Sequence, residues 1–300
     1  MATPPTSLLD PAAIAKGEAL GVIARGIVEG YRVGEHRSPF HGFAIEFAQH
    51  REYTTGDDLR HLDWKVLGRT DRYYIKQYEQ DTNFVAHLCL DGSESMTYGS
   101  GKQTKLEYAK VLAACLAYLV LGQSDAIAVN IFDTEVRSRQ DRTDNPRKIH
   151  EIMHRLGSFE ATEGTHTAKI LNDLAATLRS RSIVMLISDL FDDEESLRKS
   201  IERIRFQGTE VIVFHVLDPY EIEFPFTGTV KFVGLEKGPE LETVPSSIRK
   251  SYLQAFGDYC KRIRAMCDRA SCHYVLCNTA EPIHETLGGY LAFRQNHLSR

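Results

Sequence analysis

The residues of this sequence best placed to do chemistry carry oxygen, in three short stretches. Asp91-Gly92-Ser93-Glu94-Ser95 sets a carboxylate, Asp91, beside the hydroxyls of Ser93 and Ser95; Gly164-Thr165 adds the hydroxyl of Thr165, and Asp189 a second carboxylate. Hard divalent cations such as magnesium or manganese prefer oxygen ligands, and magnesium keeps several of its waters when bound. Two carboxylates among three neutral hydroxyls would leave the ion electrophilic, with one position open to a carboxylate from a protein partner. No Cys or His belongs to the set, which argues against zinc or copper. A D-x-S-x-S match alone is a weak signal, and the plainer use of Asp91, Ser93 and Ser95 is a turn that caps the next helix.

What lifts these residues above chance is where the pattern of elements puts them. From about residue 82 strands and helices alternate. Strands are expected at 83–90 (NFVAHLCL), 126–132 (AIAVNIF), 182–188 (SIVMLIS), 210–216 (EVIVFHV) and 273–277, with a short edge strand around 230–233. Helices are expected at 102–121, 146–156 and 168–178, from Asp192 to about Gly208, from about Ser246 onward, and at 285–293. Asp192 reads as an N-cap, with Glu195 completing a capping box. Strands that are apolar throughout belong in a parallel sheet covered on both faces. The fold class is therefore α/β, a doubly wound and mostly parallel sheet, with an N-terminal arm at 1–81 and the α/β domain at 82–300. Such sheets bind ligands at the carboxyl ends of their strands. All three oxygen-bearing stretches fall at that rim.

Composition narrows the classes of function. The chain has 300 residues, with 36 basic against 41 acidic side chains and a net charge of −5. With a sequence pI near 6.2, it is not the basic surface of a nucleic-acid reader. The start, MATPPTSLLDPAA, lacks the basic and apolar regions of a signal peptide. The longest apolar run, Val111 to Leu121, is about half of the roughly 20 residues that a spanning helix needs. The expectation is a cytoplasmic protein whose six cysteines are free thiols. Cys260, Cys267, Cys272, His273 and Cys277 cluster late in the chain, without the close cysteine pairs of a zinc site. Neither G-x-x-x-x-G-K-[ST], G-x-G-x-x-G nor G-x-S-x-G occurs, and Ser93 and Ser95 have no evident base. Lys102, Lys105 and Lys110 open a helix against its dipole and read as a solvated face.

Residues 34–80 differ from the rest. They hold His36, His41, His50 and His61, the single tryptophan Trp64, and seven basic side chains against eight acidic ones. Asp57, Asp58 and Asp63 with those histidines would suffice for a metal-dependent hydrolase at 36–63, although the spacings follow no ligand pattern. The structural alternative is an arm pinned to the α/β domain by Arg–Asp pairs and Trp64.

The oxygen set resembles the metal-ion-dependent adhesion site of von Willebrand factor A-like domains. That resemblance implies direct coordination by Ser93 and Ser95, direct or water-mediated coordination by Thr165, and coordinated waters held by Asp91 and Asp189. His166 is bulky beside the threonine, and Thr167 is a rival for its role. Gly42-Phe43, Arg51-Glu52-Tyr53, Gly56-Asp57-Asp58, Arg60 and Asp63-Trp64-Lys65 resemble the signature of the domain of unknown function 58 family, with Leu62 where isoleucine is usual. That family joins such a segment to a von Willebrand A-like half. Its genes commonly accompany MoxR-type AAA+ ATPases, thought to mature client complexes or insert metal into them. No enzymatic reaction is assigned to it. The resemblance implies a non-catalytic, cation-dependent adaptor.

Overall fold

Strands that are apolar on both faces need helices on both faces, and the computed structural model shows how this chain supplies them. The structure describes residues 11–35, 46–52, 66, 68, 72–79, 84–161, 164–178, 182–234 and 240–288. In chain order these form helix α1 (Pro11–Glu35), strands β1 (Glu46–Glu52), β2 (Tyr74–Glu79) and β3 (Val85–Asp91), and helix α2 (Lys105–Gly122). Strands β4 (Ala126–Phe132) and β5 (Val136–Thr143) follow, then helices α3 (Ile149–Ser158) and α4 (Thr167–Ala175). Next come β6 (Ser182–Ser188), α5 (Glu194–Phe206), β7 (Glu210–Leu217), the short helix α6 (Pro219–Glu223), and strands β8 (Val230–Phe232) and β9 (Leu241–Thr243). Helix α7 (Pro245–Arg269) and β10 (His273–Asn278) follow, and residues 283–288 are helical again.

The central sheet runs β10-β7-β6-β3-β4-β5. All its neighbours are parallel except β4 and β5. The α/β, doubly wound and mostly parallel expectation therefore holds. Alternate residues along each strand feed two cores. Leu88, Leu90, Met185 and Ile187 pack with Leu112 and Leu116 of α2, Ile152 of α3, and Leu20, Ala24 and Val28 of α1. Cys89, Val184 and Leu186 pack on the opposite face with Leu171 of α4, Ile201 of α5 and Ile263 of α7. All six cysteines are free, five of them buried.

Three elements depart from expectation. Helix α1 is interrupted in sequence by glycines, yet it joins the first core, and Gly17 shows why. A Cβ there would stand 2.7 Å from the His154 Cα on α3, so the two helices meet where no side chain intervenes. Strand β5 (VRSRQDRT) is polar because it is an antiparallel edge, where charge discourages pairing with other chains. Among the described residues, 230–232 are not an edge of the main sheet, since β8 pairs with β9 in a separate ribbon. Helix ends shift too: a 3-10 turn at Pro146–Lys148 precedes α3. Asp193, not Asp192, caps α5, accepting the Ser196 N–H at 2.8 Å. The capping box expected from Asp192 and Glu195 does not form. Residues 289–293 of the expected last helix lie outside the described residues.

Candidate functional site

Strands β3 and β6 lie side by side, but the chain leaves β3 toward β4 and leaves β6 toward β7, on opposite sides. In a doubly wound sheet this switch point opens a crevice at the carboxyl ends of the two strands. Asp91 is the last residue of β3 and Asp189 the first after β6, and both are fully buried. The backbone is bent to deliver them. Leu190 holds a left-handed φ of 60°, a conformation that a side chain makes costly. Gly92 permits close packing beneath the loop, because a Cβ there would stand 2.2 Å from the Phe159 ring.

Hydrogen bonds draw the serine and threonine hydroxyls around Asp91. Its Oδ1 accepts the Ser93 N–H at 3.0 Å. Its Oδ2 accepts the Ser188 hydroxyl at 2.6 Å and the Thr165 hydroxyl at 3.3 Å. The Ser93 and Ser95 Oγ atoms lie 3.0 Å apart. Thr165 Oγ1 is 3.1 Å from Thr167 Oγ1, and Thr167 is fully buried behind it. His166 points outward, exposed, while its N–H donates to the Asp133 carbonyl. Asp192, freed from the capping role, accepts the Ala168 N–H at 3.0 Å and so ties the Thr165 loop to the Asp189 loop.

Burial and, behind it, the charge of Asp189 push Asp91 up to about 7. The ionised form of Asp91 thus pays for its burial and for a second carboxylate nearby. Asp189 has a partner that sequence patterning placed in solvent. Lys105 is 1% exposed, and its ammonium lies 2.8 Å from Asp189 Oδ2 and 2.8 Å from Glu221 Oε1 of α6. Burial works against that ammonium, but the two carboxylates outweigh it and hold Lys105 above its ordinary value. The Phe191 ring stands 5.2 Å from the ammonium and the Tyr98 ring 6.0 Å. Lys110 is half-buried, its ammonium donating to the Phe159 carbonyl, so of the three lysines only Lys102 lies on a solvated face. Beneath Asp189, burial lowers His215 to about 4 and keeps it neutral. Its Nε2 lies 3.0 Å from the Asp189 carbonyl, which can only accept, so Nδ1 accepts the Tyr274 hydroxyl at 2.8 Å.

Four of the five residues singled out from sequence, Asp91, Ser93, Ser95 and Thr165, are therefore linked by hydrogen bonds, with Asp189 beside them. Among the described residues no group of three or more His, Cys, Asp and Glu side chains could hold a metal. A cation at this rim would have to lean on hydroxyl oxygens. The donor chemistry fits a hard dication, which would relieve the repulsion between Asp91 and Asp189. The constraint is Lys105, which already takes one oxygen of Asp189.

Lys105, Ser188 and Glu221 belong to the site without having been singled out for it. Ser188 closes an apolar strand, where a hydroxyl facing a carboxylate leaves no periodic signal. Of the residues considered for a hydrolase, only His50 is described, paired in register with Lys76 between β1 and β2. His36, His41, Asp57, Asp58, His61 and Asp63, with Trp64, lie outside the described residues.

Residues 49–259 match the family described as "Protein of unknown function DUF58". The uncharacterized protein Rv1480 of Mycobacterium tuberculosis is 25% identical over 254 residues, covering 82% of this chain and 78% of that protein. Among solved structures, the conserved hypothetical protein BatB from Bacteroides thetaiotaomicron aligns over 72% of this chain and 100% of its own, at 15% identity and a TM-score of 0.47. The SpRpn10 VWA domain aligns over 68% of this chain and 94% of its own, at 15% identity and a TM-score of 0.40.

Proposed function

The chain belongs to the DUF58 family, and from that footing we propose that it is a non-catalytic, divalent-cation-dependent protein-interaction module. The observation that supports this most is the gathering of Asp91, Ser93, Ser95 and Thr165 into one hydrogen-bonded cluster beside Asp189, at the switch point of the sheet. Ser93, Ser95 and Thr165 would hold magnesium or manganese, with Asp91 and Asp189 behind them. When bound, the ion supplies a Lewis-acidic position for a partner's carboxylate. This chain's own residues orient the hydroxyls: Asp91 fixes the Ser93 N–H and the Thr165 hydroxyl, and Lys105 holds Asp189 in place. The Ser93 and Ser95 hydroxyls bond each other rather than a base, which favours binding over nucleophilic attack. The partner in this proposal is a MoxR-type AAA+ ATPase, with a client protein that offers the carboxylate during maturation or metal insertion.

Two measurements test it. Magnesium at about a hundredfold over its dissociation constant adds about 2.7 kcal/mol to stability, so millimolar MgCl2 should raise the melting temperature by several degrees. In Ser93→Ala the rise should vanish. Pull-downs from the native host should recover an AAA+ ATPase with magnesium and lose it with EDTA. A melting temperature indifferent to magnesium, or recovery indifferent to both EDTA and Ser93→Ala, overturns the proposal.

A further inference from the structure

Beside the cluster opens a cavity of about 720 Å³, and Ser95 lines it. The Ser95 hydroxyl is also 3.0 Å from that of Ser93, so one residue borders both cavity and cluster. The far walls are aromatic. Phe224 packs 4.4 Å from Tyr252 and 5.0 Å from Phe226, and Phe226 lies 5.2 Å from Phe232 and 5.3 Å from Tyr220. Phe224 keeps this place with a left-handed φ of 48°, a backbone cost that the surrounding rings must sustain.

The charges in the wall are already matched inside the chain. Lys105 is held by Asp189 and Glu221, and Lys231 by Glu240 at 2.6 Å. The cavity therefore offers an incoming group aromatic surface rather than a free charge. In the proposed function, a partner's carboxylate is received next door, at the hydroxyl cluster. Consecutive residues of an extended partner stand about 3.8 Å apart, so two sites that share Ser95 can be filled by neighbours in one chain.

We propose that the cavity receives a large apolar or aromatic side chain flanking the partner's cation-coordinating carboxylate, so that the partner is recognised by an acidic residue next to a bulky apolar one. This rests on the cation-site proposal and names its ligand class. Recognition of this kind divides the work: the ion reads the charge, and the pocket reads size and apolarity, the usual role of a concave aromatic site.

Fluorescein-labelled hexapeptides are the probe, each with a single Asp flanked on either side by Trp, Phe, Leu or Ser, together with an Asn-Trp control. Binding is followed by fluorescence polarisation, with MgCl2 or with EDTA. With magnesium, the Asp-Trp or Trp-Asp peptide should bind at least about tenfold more tightly than its serine counterpart. Phe226→Ala should erase that preference and leave the magnesium-dependent thermal shift intact. Should Phe226→Ala fail to fold, Ile248→Trp fills the cavity from α7 and should have the same effect. A normal magnesium shift with equal binding of the Trp and Ser peptides overturns the pocket and spares the cation site. Absence of the magnesium shift overturns the cation site. Equal binding of Asn-Trp in EDTA overturns the link between the two.

Discussion

Asp133 and Asp218 stand at the ends of β4 and β7 as Asp91 and Asp189 stand at the ends of β3 and β6, and all four are fully buried. The first two are locally satisfied. Asp133 takes Arg137 Nε at 2.8 and 2.7 Å on its two oxygens, and the Glu135 N–H at 3.0 Å. Asp218 accepts the Ser100 N–H and Tyr220 N–H, both at 2.8 Å, together with the Ser100 hydroxyl. Asp91 lies within the charge of Asp189, and Asp189 has one ammonium, Lys105, which it shares with Glu221. Asp91 is bonded much as Asp218 is, by a backbone N–H and hydroxyls, so what sets it apart is the second carboxylate, Asp189, whose charge it feels. A neighbouring charge, rather than residue type, separates scaffold from site.

The sharpest way to break this contrast is to remove the ammonium. Lys105→Met would leave the buried Asp189 and the half-buried Glu221 without it, and removing one partner of a buried pair costs about 3–5 kcal/mol. Urea denaturation should show that loss, with magnesium restoring more stability to the variant than it adds to the parent. Next come paired substitutions. Asp133→Asn should cost about 1–3 kcal/mol, because the buried side chain loses its charge-assisted bonds to Arg137. Asp91→Asn should cost less than about 1 kcal/mol in EDTA, because the lost bonds are offset by the end of the repulsion with Asp189. It should also abolish the magnesium effect. Equal costs for the two would dissolve the distinction.

The smallest effect lies away from the switch point. Burial, with Arg139 and Arg142 of β5, lowers His87 to about 4. An unfolded histidine titrates near about 6.5, so the unfolded chain binds this proton first. The stability from neutral His87 is present above that pH and is lost as pH falls from about 6.5 toward 4. His87→Gln should flatten that limb of the stability curve by about 1 kcal/mol, read from denaturation midpoints in acetate and phosphate buffers.

Much of the sheet was legible because its strands are buried on both faces. AIAVNIF and SIVMLIS match β4 and β6 residue for residue. What stayed hidden depends on partners distant in sequence. Sequence patterning places α1 only within an arm at 1–81 and gives it no element of its own; Gly17 is small because α3 lies against it. Strand β5 hid behind edge charges. At the site, hydroxyls and carboxylates in a strand-end motif announced themselves. Lys105 did not, because a lysine in a helix's first turn looks solvated until Glu221, 116 residues further on, closes over it.

Helix α1 and strand β3 share one core, through Leu20, Ala24 and Val28 on one side and Leu88 and Leu90 on the other. Residues 11–35 and 85–91 are therefore fixed to one body, and the switch-point rim belongs to it. A protein that touched α1 as well as the switch-point rim would hold one body at two places. Two feeble holds, each too weak to last alone, would then reinforce each other through proximity, and losing either would release both.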